Sequence, residues 1–320
     1  MTLFIRRIVL GVLGIAAGLV AWPFSEVMLS AQSGFPSLLA FTIVSGFGIG
    51  ALFGAVFGSA SGIFLGRMRR AAVGAAWGLL IGGAGGVAGF LFGQGVLLLI
   101  GERFVAAASD VHTAVLPLSR ALGWAVLGAF VGAADGIRAR SGLRVRAGAA
   151  GGVLGGLAGG LAIEYGRVLL PLEPYARLAA FVFLGLTIAL FFALVERRLS
   201  YGVLRLLAGP FKGTEYIMNQ RRITVGSGDE CDIVLSDYRG IAGRHLTVRE
   251  RGGELFLLAH APAVRLNDEE VRPVDSGTTG ERARSDDETQ KDDRRITGAG
   301  PLKYEDVIAI GSAKLLFMAE

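Results

Sequence analysis

Six separate stretches of this chain are long and apolar enough to cross a hydrocarbon layer, and they fix the solvent of its first 200 residues. They run approximately over 8–30, 37–65, 71–100, 121–137, 147–170 and 177–196. A bilayer core about 30 Å thick takes roughly 20 apolar residues as helix. The first stretch stays apolar too far to read as a cleaved signal and is expected to remain as a span. From Glu196 onward the charge density becomes that of a water-soluble domain. The chain therefore divides into a helical membrane domain over 1–200, a linker over 201–211 and a soluble domain over 212–320.

Orientation follows from the arginines in the short connections. With the N-terminus inside, one side receives Arg6, Arg7, Arg67, Arg69, Arg70, Arg138, Arg140, Arg144, Arg146, Arg197 and Arg198. The other receives Arg103, Arg120, Arg167 and Arg177 among the acids Glu26, Glu102, Asp110 and Glu173. An even number of spans puts both termini in the cytoplasm, in a plasma (inner) membrane. The net charge of +5 then marks a membrane face rather than nucleic-acid binding.

The membrane part contains an internal repeat. A shift of 74 residues lays 51–63 over 125–137 and, without a gap, 69–89 over 143–163. The repeated blocks, 51–89 and 125–163, run in parallel through the membrane. Glycines recur within them at four-residue spacing, which places each series along one helix face. They are Gly54, Gly58, Gly62, then Gly74, Gly78, Gly82, Gly86 in the first copy, and Gly128, Gly132, Gly136, then Gly148, Gly152, Gly156, Gly160 in the second. A face without side chains lets another backbone approach, the main attraction between helices in lipid. Two uses are open: packing inside one bundle, or a glycine zipper between subunits of a homo-oligomer, with a channel as a special case.

Polar chemistry within the spans is sparse. Asp135 lies near the inner end of the fourth span; Glu164 and Arg167, three apart, suit a local interfacial ion pair. Gln94 and Thr42 read as isolated groups satisfied locally. His112 and His260 lack a partner nucleophile, and Cys231 is the one cysteine, so neither a disulfide nor a cysteine metal cluster is available. No Ser–His–Asp set is visible, and GPFKGT (209–214) lacks phosphate-loop spacing. The expectation is a protein that is not an enzyme and has no cofactor and no metal.

From about residue 211 the pattern changes to alternation with turn residues between runs, the signature of an all-β sandwich. ITVGSGDECDIVLSD (223–237), IAGRHLTV (241–248), VRLNDEEV (264–271) and LKYEDVIAIGSAKLLF (302–317) follow in an order that resembles a forkhead-associated (FHA) domain, covering about a third of the chain. The resemblance implies an eleven-stranded sandwich whose loops at one end bind phosphothreonine peptides. In that family an Arg after the first motif's Gly and a Ser before R-x-H contact the phosphate, an Asn in a later loop holds the peptide, and the His braces a loop. Carried onto this sequence, Gly226, Asp232 and His245 keep the structural positions and Asn267 matches the Asn. Ser227 stands in place of the Arg, Ala242 in place of the Ser, Asp268 in place of the following Gly, and Ala263-Val264 in place of Gly-Thr.

A charge-assisted hydrogen bond contributes roughly 1.5–3 kcal/mol, so loss of the Arg alone weakens phosphate binding at least about tenfold. Asp229, Glu230 and Asp268 add repulsion, while Arg239 and Arg244 are candidate replacements. The partner-binding loops are therefore assigned to Ser227, Arg239, Arg244 and Asn267. The polar segment 274–300 cannot bury enough to order itself and reads as a disordered insertion, tolerated or phosphorylated at Thr278, Thr279, Ser285, Thr289 or Thr297. Together these features describe an α-helical transmembrane bundle followed by an FHA-like sandwich: a membrane-anchored scaffold or signalling adaptor presenting an interaction module to a cytosolic protein. The alternative is a glycine-packed channel or transport component regulated by the β-domain.

Overall fold

The computed structural model describes residues 2–104, 115–169, 173–271, 273 and 301–319. His112 and the segment 274–300 with its hydroxyl residues lie outside them. The chain forms two compact units, helices from Leu3 to Leu199 and a sandwich from Ser200 on.

The helical unit contains α1 (Leu3–Ser30), α2 (Leu38–Phe64), α3 (Met68–Phe104), α4 (Leu116–Arg138), α5 (Gly142–Leu169) and α6 (Glu173–Leu199). All six carry membrane-length apolar windows. In lipid a segment must satisfy its own backbone, so these runs are helical despite their glycines. Ser37 caps α2 by accepting from the Ala40 N–H at 3.1 Å. The helices close a ring in chain order, α6 packing on α1, with α2 and α4 also touching across it.

The seams are backbone to backbone. A Cβ on Gly54 would run into the Gly78 carbonyl, and one on Gly78 into the Gly54 carbonyl; Gly58 and Gly74 face each other in the same way. The shift of 74 carries these pairs onto Gly128–Gly152 and Gly132–Gly148, which meet identically. Gly62 lies on the backbone of Arg70 and Ala71, and its counterpart Gly136 on that of Arg144 and Val145. Gly82 and Gly86 meet Gly50 and Gly46; Gly156 and Gly160 meet Trp124. Each of these glycine faces is thus filled from within one bundle.

Further seams lie outside the four-residue series. Gly151, Gly155 and Gly159 of α5 face Phe192, Ile188 and Leu184 of α6, and Thr187 Oγ1 donates to the Gly155 carbonyl at 2.9 Å. Gly89 meets Gly123 between α3 and α4, and Gly14 meets Gly185 between α1 and α6. The buried Glu164 carboxylate accepts from Arg120 of α4, on the neighbouring helix, at 3.1 Å. One polar expectation is corrected. Gln94 is not isolated: its Nε2 donates to Thr42 Oγ1 on α2 at 2.7 Å. Arg177 binds Glu26 in a fork at 2.6 and 2.9 Å, and Arg6 binds Glu196 at 2.8 Å, tying α1 to α6 at both ends.

The sandwich has ten strands among the described residues: β1 (Val203–Leu206), β2 (Glu215–Ile217), β3 (Arg222–Gly226), β4 (Ile233–Val234), β5 (Leu246–Arg251), β6 (Glu254–Ala259), β7 (Val264–Leu266), β8 (Glu269–Val271), β9 (Val307–Ile310) and β10 (Ala313–Met318). One sheet has the order β2-β1-β10-β9-β7-β8 and the other β4-β3-β5-β6. The expected linker 201–211 is corrected: Val203–Leu206 pairs with Leu315–Met318 and with β2, because its alternate apolar side chains enter the core. Tyr201 is already strapped in, its N–H donating to the Met218 carbonyl at 2.8 Å. Leu204, Leu206, Val225, Leu246, Ile308, Ile310 and Leu315 form the centre of the core between the sheets.

Candidate functional site

Strand register brings three loops to one end of the sandwich. The β3–β4 loop lies along the segment before β5: Ser227 N–H donates to the Ala242 carbonyl at 3.0 Å and Gly228 N–H to that of Gly243 at 2.9 Å. Gly226 has no room for a side chain there, since a Cβ would strike the Gly243 carbonyl. Cys231 donates its Sγ hydrogen to the same carbonyl at 3.1 Å. Burial pushes its thiol upward, with the Glu230 carboxylate adding to the shift. Asp232 fixes the loop from below by accepting from Thr224 N–H and Oγ1, both at 2.9 Å.

His245 holds the second loop. Its Nδ1 accepts from the Ala242 N–H at 3.0 Å, which fixes the ring as the Nε2–H tautomer when neutral. Nε2 is buried without a hydrogen-bond partner, beside the backbone of Pro262. Burial lowers the imidazole pKa, an effect that the Pro262 backbone only partly opposes. The third loop follows β6: His260 N–H donates to the His245 carbonyl at 2.8 Å, leading into Pro262 and Ala263, whose φ is 66°.

Arg239 is anchored by its backbone. Its N–H donates to Ser312 Oγ and its carbonyl accepts from Ser312 N–H, both at 3.0 Å, leaving the exposed side chain outside. Tyr238 beside it binds the β1–β2 loop, its hydroxyl donating to the Ala208 carbonyl at 2.9 Å and accepting from Phe211 N–H at 3.2 Å. Ser227, Arg239 and Arg244 therefore share one end with Phe211 and Lys212, which the sequence reading had not assigned. Phe211 is half exposed, at 50%.

Asn267 does not belong to this end. Asn267 and Asp268, with φ of 50° and 69°, form the two-residue turn of the β7–β8 hairpin. Leu266 is opposite Ile308 and Val264 opposite Ile310, so the turn sits at the start of β9, roughly 13 Å along the strands from the Gly311–Ser312 turn. Its Nδ2 donates to Asp306 Oδ1 at 2.7 Å and its Oδ1 accepts from Val307 N–H at 2.8 Å. Its amide is occupied by the domain itself. The assignment to the partner-binding loops is corrected accordingly: positive φ at two successive residues selects Asn-Asp for a tight hairpin. That signal was available in the sequence.

A family model described as the cytoplasmic domain of an inner membrane component of T3SS matches residues 205–279. Among solved structures, the FHA domain of CT664 from Chlamydia trachomatis is 18% identical and covers 37% of this chain and 96% of its own, with a TM-score of 0.27. The cytoplasmic domain of the T3SS sorting platform protein PscD from P. aeruginosa is 21% identical over 37% of this chain and 78% of its own, with a TM-score of 0.26. The FhaA FHA domain, solved with the intracellular domain of Rv3910, is 19% identical over 36% and 97%, with a TM-score of 0.26. No curated protein matches the chain. The C-terminal unit is an FHA-like sandwich, carried by a chain with six membrane-length apolar helices among the described residues.

Proposed function

We propose that the chain is an integral membrane scaffold: the helical bundle holds the FHA-like module at the cytoplasmic face, and the loop end selects a protein partner without requiring phosphothreonine. The observation that carries this reading is the pairing of Ser227 with Ala242. Their backbones are bonded to each other at 3.0 Å, and neither side chain brings a cation or a second hydroxyl to receive a phosphate dianion. Gly226, Asp232 and His245, which shape the loops, keep their bonding roles. The loop architecture is retained while its phosphate chemistry is changed.

The cytoplasmic placement rests on the arginine bias of the connections at the end where α6 closes. The description of the matching family model, a cytoplasmic domain of an inner membrane component, supports the same side. The filling of the glycine seams from within one bundle supports a packing role for them over a pore.

Affinity capture with the full-length protein from native membranes tests the reading. A partner should remain bound after phosphatase treatment, and the charge reversals Arg239→Glu and Arg244→Glu together should release it. Loss of the partner on phosphatase treatment, with no effect of the reversals, would return the module to phosphothreonine recognition.

A further inference from the structure

One end of the helical ring gathers arginines twice over. The α2–α3 turn carries Arg67, Arg69 and Arg70; the α4–α5 turn carries Arg138, Arg140, Arg144 and Arg146. Within the described helical unit, Asp135 and Glu196 are the carboxylates at that end, and both are engaged. Asp135 meets Arg138 at 2.7 Å and Arg144 at 3.7 Å, and Glu196 meets Arg6. Arg69, Arg140 and Arg146 are exposed and make no ion pair among the described residues.

The two turns are copies of one another. In the first, Arg67 N–H returns to the Gly62 carbonyl at 2.9 Å and Gly66 N–H to that of Ile63 at 3.0 Å. In the second, Ser141 N–H returns to Gly136 at 3.0 Å and Arg140 N–H to Ile137 at 3.1 Å. The shift of 74 superposes every one of these groups. Each turn requires one residue in the left-handed region, and there the copies part: Gly66 has φ 65°, while Arg140 holds φ 50°. Glycine takes this conformation without strain; an L-residue with a Cβ does not. The second copy thus keeps an arginine where its sister shows that glycine serves the fold.

We propose that this basic end is a binding surface for the headgroups of anionic phospholipids, received at the two repeat-related turns, with Arg140 retained for that contact. The guanidinium matches a phosphate through two parallel N–H donors. Each turn leads directly into a long helix, α3 or α5, and the positive end of that helix's dipole lies at the same level as the arginines. The occupant is a lipid because these arginines terminate helices that cross the lipid layer, so its phosphate is tethered at their level. The inference does not rest on the sandwich or its partner.

The test uses the full-length protein in neutral detergent, titrated with phosphatidylglycerol or phosphatidylcholine. Retained lipid is counted by native mass spectrometry and the melting temperature is followed in parallel. Phosphatidylglycerol should be retained over phosphatidylcholine and should raise the melting temperature. Arg140→Gly should melt higher than the parent before lipid is added, yet bind phosphatidylglycerol about fivefold more weakly, and Arg69→Gln with Arg146→Gln should weaken it further, again about fivefold each. Equal retention of the two lipids would overturn the proposal. So would unchanged phosphatidylglycerol binding in Arg140→Gly, a lower melting temperature for that variant, or an equal thermal shift from inorganic phosphate alone.

Discussion

Gly152→Ala adds one methyl group at a place where the opposing surface cannot give. The new Cβ would land on the carbonyl oxygen of Gly128, which is main chain, so relief requires α4 and α5 to separate. Overpacking of this kind costs about 1–3 kcal/mol, offset by about 1 kcal/mol of helix propensity gained over glycine. The expected net is a loss of up to about 2 kcal/mol. Gly95→Ala is the control, since nothing lies within 4 Å of its added Cβ, and it should be neutral or slightly stabilising. Gly78→Ala, the counterpart of Gly152→Ala in the first copy, should behave like it. The two losses should add, because the seams do not share partners. Reversible unfolding of the purified protein in mixed micelles measures this, with Trp124, buried against Phe90 and Phe181, as the fluorescent reporter. A Gly152→Ala variant as stable as its parent, or a Gly95→Ala variant equally damaged, would refute the claim that backbone contact holds these seams.

Three further outcomes are expected. Ser227→Arg with Ala242→Ser should raise affinity for a phosphothreonine peptide over its threonine counterpart at least about tenfold, read by calorimetry; no gain would mean that the loops are shaped for another ligand. Burial lowers the pKa of His245, so its contribution to stability is complete above its ordinary value of 6.5 and is lost as pH falls below it; urea unfolding of the sandwich should weaken on acidification, and His245→Gln should flatten that dependence. Asn267→Gly keeps the turn's positive φ but removes two hydrogen bonds, so thermal unfolding should show a loss of about 1–2 kcal/mol while partner capture is unchanged.

The spans and most strands were legible because solvent imposes them: uninterrupted apolar runs in lipid, alternation at a half-buried sheet. β1 was hidden because Val203–Leu206 follows the last apolar helix closely and reads as its tail. The three-residue strands β2 and β8 are too short to show a period. The four-residue glycine series was visible, whereas the faces carrying Gly89, Gly123, Gly151 and Gly155 emerged only once the neighbours of α3 and α5 were known. Asn267 shows a different failure. A motif letter matched, but the residue's own backbone demand, positive φ beside Asp268, placed it at the far end of a strand. Pairing of Arg120 with Glu164 could not be read from spacing, since those residues lie on different helices.

α5 has bare backbone on two sides, Gly148 and Gly152 toward α4 and Gly151 and Gly155 toward α6. During synthesis the hairpin with α4 can close as soon as both helices are inserted. The second groove then stays open to lipid until α6 emerges and Thr187 reaches the Gly155 carbonyl. A chain halted before α6 would display that unfilled channel of glycines, a ready foothold for quality-control proteases or for a stray helix of another protein.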